Sequence, residues 1–212
     1  MEHLDKTRND HSDFTKGELN DYLLDPMLMF QKWYQAAHEK QVPSPHAMVI
    51  STVNASGQPS SRVVYMKEVL EEGFVFYTNY KSRKGRDLLE NQSISALFFW
   101  EETEQQVRIE GSVQKVDSAI SDDYFASRPR VSQIGAWASE QSTEIDSRAE
   151  LENRVAEFEQ KFPNEVPRPP HWGGYLIVPQ YFEFWQGRLG RLHDRICYAK
   201  TKNKYQISRI CP

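Results

Sequence analysis

Residues 47–79, AMVISTVNASGQPSSRVVYMKEVLEEGFVFYTN, decide the fold. Three runs in this stretch, AMVISTV, SSRVVYMKEVL and FVFYTN, are rich in β-branched and aromatic residues, and such residues suit a pleated, half-buried strand. Between them lie NASGQP and EEG, whose Asn, Gly and Pro are the residues of tight turns. Short strands joined by short turns make an antiparallel meander. The same pattern continues downstream in SISALFFWEE (93–102) and QQVRIEGSVQKV (105–116), with one helix, SRKGRDLLEN (82–91), inserted.

Working outward, DPMLMFQKWYQAAHEK (25–40) reads as a helix capped by Asp25, with Pro26 in its first turn and Leu28, Phe30, Trp33, Tyr34 and Ala37 near helical spacing. After the meander, DSAISDDYFASRP and DSRAELENRVAEFEQKF are helical, and Leu151, Val155, Phe158 and Phe162 form one stripe in the second. Four strand-like runs close the chain: GGYLIV, YFEFWQ, RLHDRICYA and KYQISRI. About nine strands, a few helices and no βαβ alternation predict an α+β protein built on an antiparallel barrel. The first 20 residues are polar and aperiodic and read as a mobile arm. Residues 21–212 read as a single domain.

Composition excludes several classes. Hydrophobic residues make up 39% and aromatics 12%, which is globular rather than disordered. The net charge of −4 gives no whole-surface attraction to nucleic acid or anionic lipid, so any anion site is local. The two cysteines, Cys197 and Cys211, have neither CxxC nor Cys/His metal spacing, so no disulfide framework and no metal site are expected. The polar start and the lack of a long apolar run predict a soluble, cytoplasmic protein.

Three clusters could carry chemistry. In a strand Arg191, His193 and Arg195 would share a face, with Leu192 and Asp194 on the other, and Trp185 would add an aromatic wall; a solvated edge strand reads the same way. In YTNYKSRKGRDLL, Ser82 can cap a helix whose first turn carries Arg83 and Lys84. Cations there oppose the helix dipole, so a bound phosphate is one reason for them and a basic surface turn is another. In YFASRPRVSQIGAWASEQS, Tyr124, Arg128 and Ser132 are spaced by four, but Pro129 interrupts the helix. They converge only if the segment is kinked.

The motifs RVVYMK (62–67), FVFYTNYKSRKGRDL (74–88), QVRIEG (106–111), YFASRPRVSQIGAWAS with QS (124–142), WGGY (172–175), FWQG (184–187) and RLHDR (191–195) together resemble the pyridoxine (pyridoxamine) 5′-phosphate oxidase family. The resemblance implies an FMN-binding split barrel with peripheral helices and a homodimer holding FMN at its subunit interface. It also implies oxidation of pyridoxamine and pyridoxine 5′-phosphates to pyridoxal 5′-phosphate, with dioxygen as acceptor and hydrogen peroxide as product. Carried over residue by residue, the FMN contacts are Arg62, Val63, Val64, Tyr65, Met66, Lys67, Tyr77, Thr78, Arg83 and Lys84, with Gln106, Gln141, Ser142, Trp185 and Arg195 from around the interface. The substrate phosphate falls to Lys67, Tyr124, Arg128 and Ser132, and the pyridine ring to Arg191, Leu192 and His193, with Arg191 and His193 as the catalytic pair.

Members often carry an arginine pair and a tyrosine before TKG, where this chain has His11, Ser12 and Phe14, so the arm's role is left open. Arg62 and Lys67 have opposite parity, so both can serve one site only across a bulge or a strand end. Two other readings remain: a different flavin oxidoreductase on the same barrel, and a non-catalytic protein that binds flavin or pyridoxal phosphate.

Overall fold

The computed structural model describes residues 14–15, 17–202 and 204–212. Most of the expected arm, including His11 and Ser12, lies outside the described residues. Among the described residues, nine antiparallel strands and five α-helices follow one another: α1 (Pro26–Glu39), β1 (Ala47–Val53), β2 (Pro59–Tyr65), β3 (Glu68–Leu70), β4 (Gly73–Asn79), α2 (Arg83–Glu90), β5 (Ser93–Trp100), β6 (Gln105–Lys115), α3 (Ser118–Ser127), α4 (Arg130–Ala138), α5 (Arg148–Lys161), β7 (Trp172–Gln186), β8 (Asp194–Thr201) and β9 (Lys204–Arg209). The strand order is β2-β1-β5-β6-β7-β4-β3, with β8 on β7 and β9 on β8. No described helix is long and apolar enough to cross a membrane.

The turns form as their residues dictate. The Asn54 side chain accepts from the backbone N–H groups of Ser56 and Gln58, and Gly57 takes φ 81°, which closes the β1–β2 hairpin in the register Val53↔Pro59. At Gly73 a Cβ would sit 1.8 Å from the Ile177 carbonyl oxygen, so only glycine allows β4 to start there. The strand end required between Arg62 and Lys67 is present. β2 stops at Tyr65, Met66 is buried with its N–H on the His46 carbonyl, and Lys67 donates to Val75 before β3 begins.

Two expectations are corrected. The runs GGYLIV and YFEFWQ form one strand, β7, despite Pro179. Residues 172–177 pair with β4 and residues 181–186 with β8, so the N–H that proline lacks falls between the two pairings and interrupts neither. The run RLHDRICYA is not a strand from its first residue. Gly190 and Arg191 have φ of 62° and 61°, which bends Leu189–Arg191 into a 3₁₀ turn, and β8 begins only at Asp194. Arg191, Leu192 and His193 therefore lie on a loop, and alternation cannot assign their faces.

The described residues form two compact units: those within 1–45, 97–109 and 181–212, and those within 46–96 and 110–180. In the first, α1 is capped by the Asp25 carboxylate and buries Met29, Phe30, Trp33 and Ala37. Phe30 packs edge-on to Phe98 at 5.1 Å and Trp33 to Phe184 at 5.2 Å. Each such buried side chain contributes roughly 1.5–3 kcal/mol. Leu28, counted on the apolar face by spacing, is exposed. Leu19, inside the expected arm, is 3% exposed, and its N–H donates to Asp194. In the second unit Phe125, Ile134, Val166 and Trp172 form a core against which Val155, Phe158 and Phe162 of the α5 stripe pack half-buried.

Candidate functional site

In the second unit β4 leads into α2, and the residues between them build a cationic corner. Ser82 is the N-cap of α2: its hydroxyl donates to the Asn79 carbonyl and accepts from the Gly85 N–H. This fixes a helix start whose first turn carries Arg83, exposed, and Lys84, buried. The Lys84 ammonium donates to Gln141 Oε1 at 2.8 Å and to Thr78 Oγ1 at 3.2 Å. Burial, with Arg62 nearby, pulls its pKa down to about 8.

Arg62 is held by donation to Thr52 at 2.8 Å and to Ser60, with the buried Asp87 carboxylate 4.0 Å away. Burial lowers its pKa, Asp87 opposes this and Arg83 adds to it, so three cations sit within electrostatic reach of one another. An assembly of that kind suits an anion.

A cleft of about 480 Å³ opens beside this corner. Val63, Val64, Tyr65, Lys67, Tyr77, Thr78, Lys84 and Gln141 of the expected cofactor residues line it, and so do the expected phosphate residues Tyr124, Arg128 and Ser132. Pro129 ends α3 and lets α4 start at once, and that kink brings residues 124, 128 and 132 to one cavity. The Tyr77 and Tyr124 rings stack at 4.0 Å. Tyr77 donates to Glu68 at 2.5 Å, and burial followed by that hydrogen bond raises its pKa. Arg128 Nη1 is buried with no hydrogen-bond partner. Burial lowers the Arg128 pKa, with Tyr124 opposing. Asn79, Ser139 and Trp172 also line the cleft; all three lay in motifs noted in the sequence, and none of them was singled out there as a site residue.

Arg62, Met66, Arg83 and Ser142 belong to the same unit but do not line the cleft; Ser142 has φ 71°. The other expected residues, Gln106, Trp185, Arg191, Leu192, His193 and Arg195, are in the first unit. There Gln106 is half-buried on β6. Trp185 and Arg195 face each other across β7 and β8. Arg195 donates to Glu183 at 2.8 Å, and Arg108 donates to the same carboxylate at 2.6 Å. Burial alone would raise the Glu183 pKa, but the two guanidiniums outweigh it and hold it low.

His193 Nδ1 accepts from the Arg188 N–H at 3.0 Å, so the neutral ring carries its proton on Nε2, the other nitrogen. Burial and then Arg191 lower its pKa, which favours that neutral form. Its ring lies 4.5 Å from Trp185 and 5.7 Å from Phe14. Leu192 lines a second cavity, also about 480 Å³, with Phe14, Glu18 and Arg188. Asp194 is structural: it accepts from the Leu19 N–H, Arg188 and Arg209.

Residues 34–162 match a family model described as pyridoxamine 5′-phosphate oxidase, and residues 172–212 match one described as the pyridoxine 5′-phosphate oxidase C-terminal dimerisation region. A pyridoxine/pyridoxamine 5′-phosphate oxidase of Burkholderia multivorans is 53% identical over 191 residues, 89% of each chain. One from Acaryochloris marina is 46% identical over the full length of both.

Among solved structures, PhzG from Burkholderia lata, in complex with tetrahydrophenazine-1-carboxylic acid, superposes with a TM-score of 0.88 at 30% identity, covering 93% of this chain and 99% of its own. A pyridoxamine 5′-phosphate oxidase-related, FMN binding protein from Nostoc punctiforme shares the fold, with a TM-score of 0.70 at 15% identity over 86% of this chain and 97% of its own. With split-barrel neighbours and two family models that span most of its length in order, the chain belongs to the pyridoxamine 5′-phosphate oxidase family.

Proposed function

We propose that the protein is an FMN-dependent oxidase that converts pyridoxine 5′-phosphate and pyridoxamine 5′-phosphate to pyridoxal 5′-phosphate, as a homodimer with FMN at the subunit interface. The observation that carries the reading is the unbonded, buried Arg128 Nη1 in a cleft that Lys67, Tyr124 and Ser132 also line, a donor set suited to a phosphate monoester. The second cationic corner supports the cofactor. Arg62, Arg83, Lys84, Thr78 and the α2 N-terminus fit the FMN phosphate, with Gln141, Ser142, Gln106, Trp185 and Arg195 as further contacts. Trp185 and Arg195 lie within the stretch that matches the dimerisation region, which supports the dimer.

FMN, when bound, supplies the acceptor for the hydride equivalent leaving the substrate carbon, and dioxygen then carries the two electrons away as hydrogen peroxide. The alcohol plus dioxygen gives aldehyde plus peroxide; the amine consumes one water and also releases ammonia. The side chains bind and orient. Lys67, Arg128, Tyr124 and Ser132 fix the phosphate end and so limit where the reacting carbon can lie. Arg191 offers a planar cation over a ring, and neutral His193 presents an Nε2–H donor to a substrate oxygen or nitrogen.

The PhzG neighbour, with its ring carboxylic acid, raises a second substrate class. The identity near 50% with oxidases of phosphorylated vitamers, against 30% with PhzG, favours the phosphorylated substrates. Purified protein incubated with FMN, then with each vitamer phosphate in air, is expected to become yellow and release peroxide. Protein that binds FMN and releases none would be a flavin carrier.

A further inference from the structure

Four residues that the oxidase reading leaves without a task, Ser118, Asp122, Arg168 and Trp172, converge behind the phosphate end of the cleft. Arg168 lies in the segment before β7 with its side chain 14% exposed. All three of its nitrogens are used at 2.6 Å: Nε donates to the Asp122 carboxylate, Nη2 to the Ser118 hydroxyl and Nη1 to the Trp172 carbonyl. Two of these partners lie on α3, the helix that carries Tyr124 and ends at Arg128. The third is the first residue of β7. Trp172 is 7% exposed, and its ring supports the site from below. The Arg128 guanidinium carbon lies 4.6 Å from the Trp172 ring centroid, and Tyr77 and Tyr124 stack parallel to the same ring at 5.4 and 6.2 Å.

We infer that Trp172 is the platform that orients Arg128 for the phosphate and that Arg168 is a positioning residue, locking α3 to Trp172 so that Arg128 meets its ligand already aligned. The inference rests on the phosphate reading of the cleft. A guanidinium over an indole face can leave its in-plane N–H groups pointing outward, free for a ligand, and Arg128 keeps Nη1 buried and unbonded. Holding that N–H in place before binding removes an ordering cost from the bound state. Arg168 can do this because its fork reaches three acceptors in three directions, which a lysine ammonium cannot reproduce. The consequence is specificity for a phosphate monoester, set by a residue that does not touch it.

The test is a cycle on the FMN-loaded protein, read as the affinity for inorganic phosphate by calorimetry, with flavin content and melting temperature measured alongside. Arg168→Gln is expected to weaken phosphate binding by about fivefold to tenfold, and Arg168→Lys by nearly as much, with flavin content retained. In an Arg128→Ala background Arg168→Gln should add almost nothing, because the residue it positions is gone. Ser118→Ala, an exposed change that removes one of the three bonds, should weaken phosphate in the same direction by about twofold even if the Arg168 variants prove unstable. Unchanged phosphate affinity in both Arg168→Gln and Ser118→Ala, or an equal effect of Arg168→Gln with and without Arg128, would overturn the inference. Because phosphate affinity is read without turnover, a wild-type protein that released no peroxide would sink the oxidase reading and leave this result standing.

Discussion

Lys84 shows how far a single side chain departs from its usual chemistry here. Its ammonium is buried beside Arg62, and its pKa falls from an ordinary lysine value to about 8. Between that value and the unfolded one the unfolded chain binds more protons, so the flavin-free protein gains stability as pH rises through this window. FMN affinity moves oppositely, since the charge that attracts the phosphate is lost as the lysine deprotonates. The dissociation constant for FMN should therefore rise between pH 7 and pH 9.5, and Lys84→Met should bind more weakly with a flatter profile. A fluorescence titration of the flavin at several pH values measures both.

At the other anion position, Arg128→Ala should cost about 1.5–3 kcal/mol in binding of phosphorylated substrate, the scale of a charge-assisted hydrogen bond, with flavin content unchanged. Lost flavin with unchanged substrate affinity would mean that the two anion positions are exchanged. Spacing in the sequence pointed to Tyr124, Arg128 and Ser132 together, and Pro129 supplies the kink their convergence needed. Trp172 could be read only as part of a motif, because its partners Arg128, Tyr77 and Arg168 come from three separate segments.

At the scale of elements, the strands and helix caps were legible because they depend on local chemistry. Asp25 caps α1, Ser82 caps α2, and the meander turns fall at NASGQP and EEG. The errors arose where one residue's backbone overrode the pattern. Gly190 and Arg191 at positive φ delayed β8, and Pro179 sat harmlessly between two pairings. The corrected start of β8 changes what Asp194 does. As the first residue of the strand it ties the Leu19 backbone, Arg188 and Arg209 together. Burial would raise its pKa, but these donors keep it below the usual carboxylate range. Its stabilisation is then present above the unfolded carboxylate value and is lost as pH falls through the lower folded one. Asp194→Ala should cost roughly 2–4 kcal/mol of stability in denaturant titration, and turnover of the protein that remains folded should change far less. A variant of wild-type stability with abolished turnover would place Asp194 in the chemistry instead.

At the scale of the molecule, the α+β barrel followed from strand count and turn spacing, whereas the division into two compact units did not. Each unit is assembled from distant stretches of chain, and no composition shift or linker marks a border between them. The assembly was likewise out of reach of periodicity. The dimer rests on motif resemblance and on the match of residues 172–212 to a dimerisation region, and sedimentation of the FMN-loaded protein should give twice the chain mass. The central claim is that this family member oxidises a substrate recognised by its phosphate. It is tested most directly by measuring aldehyde and peroxide together, with pyridoxine 5′-phosphate and then unphosphorylated pyridoxine as substrate. The account predicts aldehyde and peroxide in equal amounts from the phosphate, and kcat/KM lower by at least about a hundredfold for the unphosphorylated alcohol, whose binding leaves Arg128 buried and unpaired. Equal kcat/KM for the two alcohols, or aldehyde formed without peroxide in air, would contradict it.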